Sequence, residues 1–116
     1  MRARSLFRRG DHQAAFRTLR AYLDELIATD NLQGTCVASI EFITMTAAIG
    51  RLQDSTRSLS FLDTTGLLDN TAWATLVAST RDTLAATPPI ADKITDHRQA
   101  LAHMHHTLGQ LLTADS

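Results

Sequence analysis

Apolar residues recur along this chain at spacings of three and four, and they show no sustained alternation with polar ones. Ala15, Leu19, Tyr22, Leu23 and Leu26 share one side of the stretch from His12 to Ala28, with Phe16 and Ile27 widening the stripe and Asp24 and Glu25 outside it. This period predicts an amphipathic α-helix. Before it, residues 2–9 form a short helix ending at Gly10, a residue suited to the positive φ of a helix C-terminus. Asp11 can cap the His12–Ala28 helix by accepting free amide hydrogens. The cluster Thr29-Asp30-Asn31 closes this second helix and can cap a third.

That third helix, Leu32 to Ile49, is the most apolar part of the chain. Val37, Ile40, Phe42, Ile43, Met45, Ala47, Ala48 and Ile49 leave few polar faces, with Glu41 and the threonines as exceptions. A helix apolar nearly all round is covered on more than one side, so it is the expected centre of the core. Gly34 is expected to loosen its first turn, and Gly50 to stop it. A fourth helix, Leu52 to Thr64, carries Leu52, Leu59, Phe61 and Leu62 and stops at Gly66. Asp69 or Asn70 then caps a fifth, Thr71 to Ala86, with Trp73, Leu76, Val77, Thr80 and Leu84 in register. Pro88-Pro89 breaks the chain there. The last helix runs from a cap at Thr95 to Leu112, with the stripe Leu101, Met104, Leu108, Leu111 and Leu112. Gly109 within it costs about 1 kcal/mol relative to alanine, to be explained by a close helix crossing or by simple tolerance.

The expectation is an all-α fold of five or six antiparallel helices, stacked as hairpins into a short solenoid or a compact bundle, because short connections make neighbours antiparallel. One domain, 1–116, is expected, with repeat-like hairpins over 2–66 and C-terminal helices over 69–113.

Charge changes this picture little. The net charge is -1, but residues 1–20 carry Arg2, Arg4, Arg8, Arg9, Arg17 and Arg20 against Asp11 alone. Such a basic start can meet nucleic acid or an acidic partner; a solvated helix face, or a segment that once met a preceding domain, is the plainer account, because no nucleic-acid-binding motif accompanies it. Nucleic acid is therefore the weaker expectation. Cys36 is the only cysteine, so no intrachain disulfide can form, which fits a reducing cytoplasm. Its apolar neighbours favour a small buried hydrophobe over a reactive thiol. No apolar run approaches the roughly 18 residues of a membrane span, and no signal-peptide h-region follows the basic start.

A repeat emerges from the glycines. Gly10 and Gly50 lie 40 residues apart, each between two helices. Five residues after each comes a small residue, Ala15 or Ser55, and nine after each a leucine, Leu19 or Leu59. The stretch LFRRGDHQAAFRTLRAYLDELIATDNLQGTCVASIEFITMTAAIGRLQDSTRSLSFLDTTG resembles degenerate tetratricopeptide-like repeats. More narrowly, it resembles those in the C-terminal region of LuxR-class bacterial signal-transduction ATPases and transcriptional regulators. The resemblance covers about residues 5–86. It implies tetratricopeptide-like hairpins and a protein-interaction or sensor role in bacterial regulation. The family's tryptophan and repeat-ending proline are missing from the matching positions, and no GxxxxGK[ST] is present, so the chain is not the ATPase part of such a protein.

Candidate chemistry is sparse. His97, His103, His105 and His106 cluster near the C-terminus, and His103 and His106 share a helix face. Two imidazoles can start a zinc or nickel site, but a third or fourth ligand must come from elsewhere; solvated histidines beside a leucine stripe are the plainer expectation. No GxSxG elbow or HExxH is present, and the Asp24-Glu25 pair implies no cleft. No catalytic residues and no cofactor are assigned, and an enzyme is not expected. Trp73 is expected to serve core packing. The leading expectation is a protein or peptide interaction module. Its candidate contact residues are Arg2, Arg4, Arg8 and Arg9, together with Leu101, Leu108, Leu111 and Leu112, whose exposed face would make a homodimer. The alternative is a small-ligand or metal-binding bundle built on the histidine helix and the core around Met45.

Overall fold

Two glycine turns of one design organise the chain. The structure, a computed structural model, describes residues 2–87 and 93–114, with the side chains of 2–4 and 114 excepted. Helices α1 (Arg2–Arg8) and α2 (His12–Thr29) meet at Gly10, and α3 (Leu32–Ala48) and α4 (Leu52–Thr65) meet at Gly50. Both glycines are left-handed, with φ of 86° and 85°. At the first turn Gly10 N–H donates to the Phe7 carbonyl and Asp11 N–H to that of Leu6; at the second Gly50 N–H donates to Ala47 and Arg51 N–H to Thr46. These paired bonds satisfy the last carbonyls of α1 and α3 in the same Schellman pattern. The small residues five positions on, Ala15 and Ser55, are both fully buried, and Leu19 and Leu59 are buried as well. The two turns therefore share their backbone geometry and the burial of these matched positions.

Between the two hairpins, Asp30 takes the left-handed conformation at φ 52°, and Asn31 caps α3 by accepting from Gly34 N–H at 2.9 Å. After α4 a single 3₁₀ turn, Leu67–Asp69, leads into α5 (Thr71–Leu84), and α6 (His97–Ala114) closes the described chain. Asn70 supplies the α5 cap through its contact with Ala72 N–H at 2.9 Å. The cap of α6 falls one residue later than expected: Asp96, rather than Thr95, accepts from Arg98 N–H through its side chain and from Ala100 N–H through its carbonyl. A carboxylate is well suited to that end of a helix. The break expected at Pro88-Pro89 lies outside the described residues.

Helix α3 is the centre, as its all-round apolarity predicts. It packs against α1, α2, α4, α5 and α6, and its buried set spans Gly34, Cys36, Ala38, Ile40, Phe42, Ile43 and Met45, with Glu41 buried among them. Its buried hydroxyls are satisfied within the helix: Thr35 donates to the Asn31 carbonyl, Ser39 to Thr35 and Thr46 to Phe42. That back-bonding lets small polar residues occupy a core at little cost. Gly34 does not loosen a turn. A Cβ there would run into the Leu26 side chain and stand 3.0 Å from the Tyr22 hydroxyl, so the missing side chain is what lets α2 and α3 approach. Gly109 meets nothing closer than the Arg20 guanidinium at 3.9 Å, which leaves tolerance as its explanation.

The described residues are all-helical, without a strand. The radius of gyration, 13.1 Å, matches the value of about 13 Å expected for a compact chain of this length. No helix among the described residues is long and apolar enough to cross a membrane.

Candidate functional site: the histidine helix and the groove at Trp73

The apolar stripe of α6 is spent inside the fold. Leu101 and Leu108 are 2% and 0% exposed, and Leu111 and Leu112 are half-buried against the same core. The expected exposed leucine face, and the homodimer drawn from it, therefore lack their basis: α2, α3 and α4 occupy that face. Periodicity marks which side of a helix is buried, but not whether the cover comes from the same chain.

Three of the histidines on α6 face carboxylates from other helices. His97 Nε2 lies 2.6 Å from Asp30 Oδ1, at the end of α2, and Asp30 also accepts a two-pronged bond from Arg98, at 3.2 and 2.9 Å. His105 Nε2 lies 2.9 Å from Asp24 Oδ1. Farther along, Gln13 donates to the Leu111 carbonyl at 3.5 Å. These contacts run in opposite directions along the two helices, so α2 and α6 are antiparallel. The third histidine, His103, faces Asp54 of α4, beside a bond from Arg51 to Gln110 at 3.1 Å. The bond from Arg98, then that from His97, holds the Asp30 carboxyl well below the usual carboxylate range.

His103 differs from its neighbours. It is largely enclosed, edge-on to the buried Phe42 ring with centroids 5.8 Å apart, and 3.5 Å from Asp54 Oδ1. Burial lowers its pKa, with Asp54 opposing and Arg57 and His106 reinforcing. His106 is exposed, beside Arg20, His105 and Gln110. His103 and His106 thus share a helix face but not a surrounding, and no group of three or more metal-ligating side chains occurs among the described residues. Sequence reasoning does not find Asp24, Asp30 and Asp54, the partners that organise this helix. Their pairing depends on which helices are neighbours, and no local motif carries that information.

Of the other candidates, Arg8 and Arg9 are exposed on the α1–α2 turn, while the side chains of Arg2 and Arg4 lie outside the described residues. Met45 is buried.

A second feature lies where α3 begins. Leu32, Cys36, Val37, Thr65, Leu67 and Trp73 line a cleft of about 310 Å³. Leu32 is 51% exposed at its rim, and Leu76, three residues beyond Trp73 on α5, is 47% exposed. The helical period places Leu76 and Val77 together in the buried register; Val77 is buried, but Leu76 is not. Trp73 is half-buried and packs against the core at its margin. Cys36 is buried, and desolvation raises its thiol pKa. Ile27 adds a third exposed apolar side chain, beside Asp30, Arg98 and Leu101.

No protein-family model matches this chain, and no curated protein or solved structure matches it either.

Proposed function

We propose that this chain is a non-catalytic helical interaction module that receives a short apolar peptide segment in the groove between α3, the 3₁₀ turn and α5. The observation that carries this reading is a cleft of about 310 Å³ lined by a half-exposed Leu32 and a half-buried Trp73, with an exposed Leu76 three residues beyond Trp73 on α5. Large apolar side chains rimming a concavity are the usual form of a site for an apolar anchor residue. Helix-lined grooves take amphipathic partners in this way. The likeness to tetratricopeptide-like repeats of LuxR-class regulators supports a hairpin-repeat architecture and a setting in cytoplasmic bacterial signalling or transcription control.

The groove carries its own probes. Trp73 reports occupancy by fluorescence, and Cys36 by its rate of reaction with a thiol reagent. Peptides selected for binding from a random library should shift the Trp73 emission, slow Cys36 labelling, and lose affinity at least about ten-fold on Leu32→Asp, with the circular dichroism spectrum unchanged. Selected peptides that bind without moving either probe, or equally well to Leu32→Asp, overturn the assignment.

A further inference from the structure

Arg51, Arg81 and Arg98 each pair with a carboxylate. Arg57 and Lys93 form no ion pair with any described residue, yet the fold brings them together. They line, with Ile94, Gln99 and His103, a cleft of about 230 Å³ between α4 and the start of α6. The placement is built into the backbone. Ile94 is buried, and its N–H donates to the Ser60 hydroxyl at 3.2 Å, while that hydroxyl donates to the Arg57 carbonyl at 2.5 Å. Lys93 is thereby anchored one residue from a bond to the α4 turn that carries Arg57.

Two nitrogens at this cleft are shielded from solvent without a hydrogen-bond partner among the described residues, Arg57 Nε and His103 Nε2. The nearest carboxylate to His103 is Asp54, at 3.5 Å, which is long for a charge-assisted bond. The other Asp54 oxygen is engaged by Arg51 Nε at 2.8 Å. Leaving the enclosed Arg57 Nε–H unmade is unfavourable, and an acceptor entering the cleft would satisfy it, as it would His103 Nε2 whenever that nitrogen carries the proton. We propose that this cleft binds a phosphate group, as inorganic phosphate or a small phosphomonoester. Arg57 presents its planar fork to the oxygens, Lys93 adds a point charge, and the His103 ring and the Gln99 amide complete the shell. Two cations with no ion-pair partner among the described residues favour a dianion over a carboxylate, and the arginine fork suits adjacent phosphoryl oxygens. This site is separate from the groove at Trp73, and neither proposal depends on the other.

The test is nuclear magnetic resonance in phosphate-free buffer at constant ionic strength, following the Arg57 Nε–H and His103 ring signals. The titrants are inorganic phosphate, 2-glycerophosphate and acetate. Saturable shifts with one or both phosphate compounds, and at least about ten-fold weaker binding in Arg57→Gln and in Lys93→Gln, are expected. Saturation by 2-glycerophosphate alone would assign the monoester, and saturation by inorganic phosphate the ion itself. Lys93 is exposed, so Lys93→Gln keeps the test sound if Arg57→Gln unfolds. Arg17→Gln, at an exposed position on α2, should bind as the parent protein does. Linear shifts with every anion, tighter saturation by acetate, or unchanged affinity in Lys93→Gln would overturn the proposal.

Discussion

Arg98 grips Asp30 with both prongs of its guanidinium, at 3.2 and 2.9 Å, while the neighbouring His97 approaches the same carboxylate at 2.6 Å. One acid at the C-terminal turn of α2 thus holds the first turn of α6. Its pKa is depressed by these partners. A carboxylate with a lowered folded pKa contributes stability that is present above its unfolded value of about 4 and lost as pH falls through the folded value. Asp30→Asn should therefore flatten the acid limb of the stability profile below about pH 4. Chemical denaturation at several pH values would show it; parallel acid limbs for variant and parent would refute the coupling. The pair is solvent-exposed, so raising the salt concentration should shrink the difference.

His103 acts in the same direction at a higher pH. Burial favours its neutral form in the folded protein, with Asp54 opposing and Arg57 and His106 assisting. The unfolded chain then binds the additional proton, so stability falls as pH drops below about 6.5. His103→Gln keeps a neutral polar side chain and should show a shallower loss of stability between about pH 7 and pH 5. A slope equal to that of the parent protein would remove His103 as the cause.

Gly34 and Gly109 should respond to alanine with opposite signs. At Gly34 the added methyl meets Leu26 and Tyr22 across the α2–α3 crossing, and overpacking of this kind costs about 1–3 kcal/mol. At Gly109 there is room, and alanine should stabilise by about 0.5–1 kcal/mol through helix propensity and a less flexible unfolded chain. Thermal melts of the two variants distinguish the roles; a stabilised Gly34→Ala would mean that the helices separate at no cost.

Helix positions are legible in this sequence because they follow from local chemistry. Gly10 and Gly50 stop helices, Asp11 and Asn31 start them, and the all-round apolarity of α3 identifies the centre. What escapes is the choice of neighbour. Nothing near His97 or His105 in sequence points to Asp30 or Asp24, which lie more than sixty residues earlier. The fate of the α6 leucines escapes for the same reason, since a stripe can be covered by its own chain or by another. Leu76 and Ile27 fall in apparent register yet end exposed. Each sits at the edge of its stripe, and helix crossings cover only the middle.

The backbone geometry shared by the two glycine turns makes the last prediction, because positions matched across them should fail alike. Ser55 is fully buried at the α3–α4 crossing and donates to the Ile43 carbonyl at 2.7 Å. Ala15 is its counterpart in the α1–α2 hairpin and is buried to the same degree. Ser55→Ala removes only the hydrogen bond. The Ile43 carbonyl also accepts from the Thr46 hydroxyl at 3.3 Å, so the acceptor is not stranded and the cost should be about 1 kcal/mol. Ser55→Leu and Ala15→Leu instead force a branched side chain between closely packed helices, and each should cost about 1–3 kcal/mol. Ala21→Leu, at an exposed position on α2, controls for leucine itself and should be near neutral. Urea denaturation of the four variants measures the comparison. If Ser55→Leu proved as benign as Ala21→Leu while Ala15→Leu did not, the two hairpins would share a turn but not a packing rule.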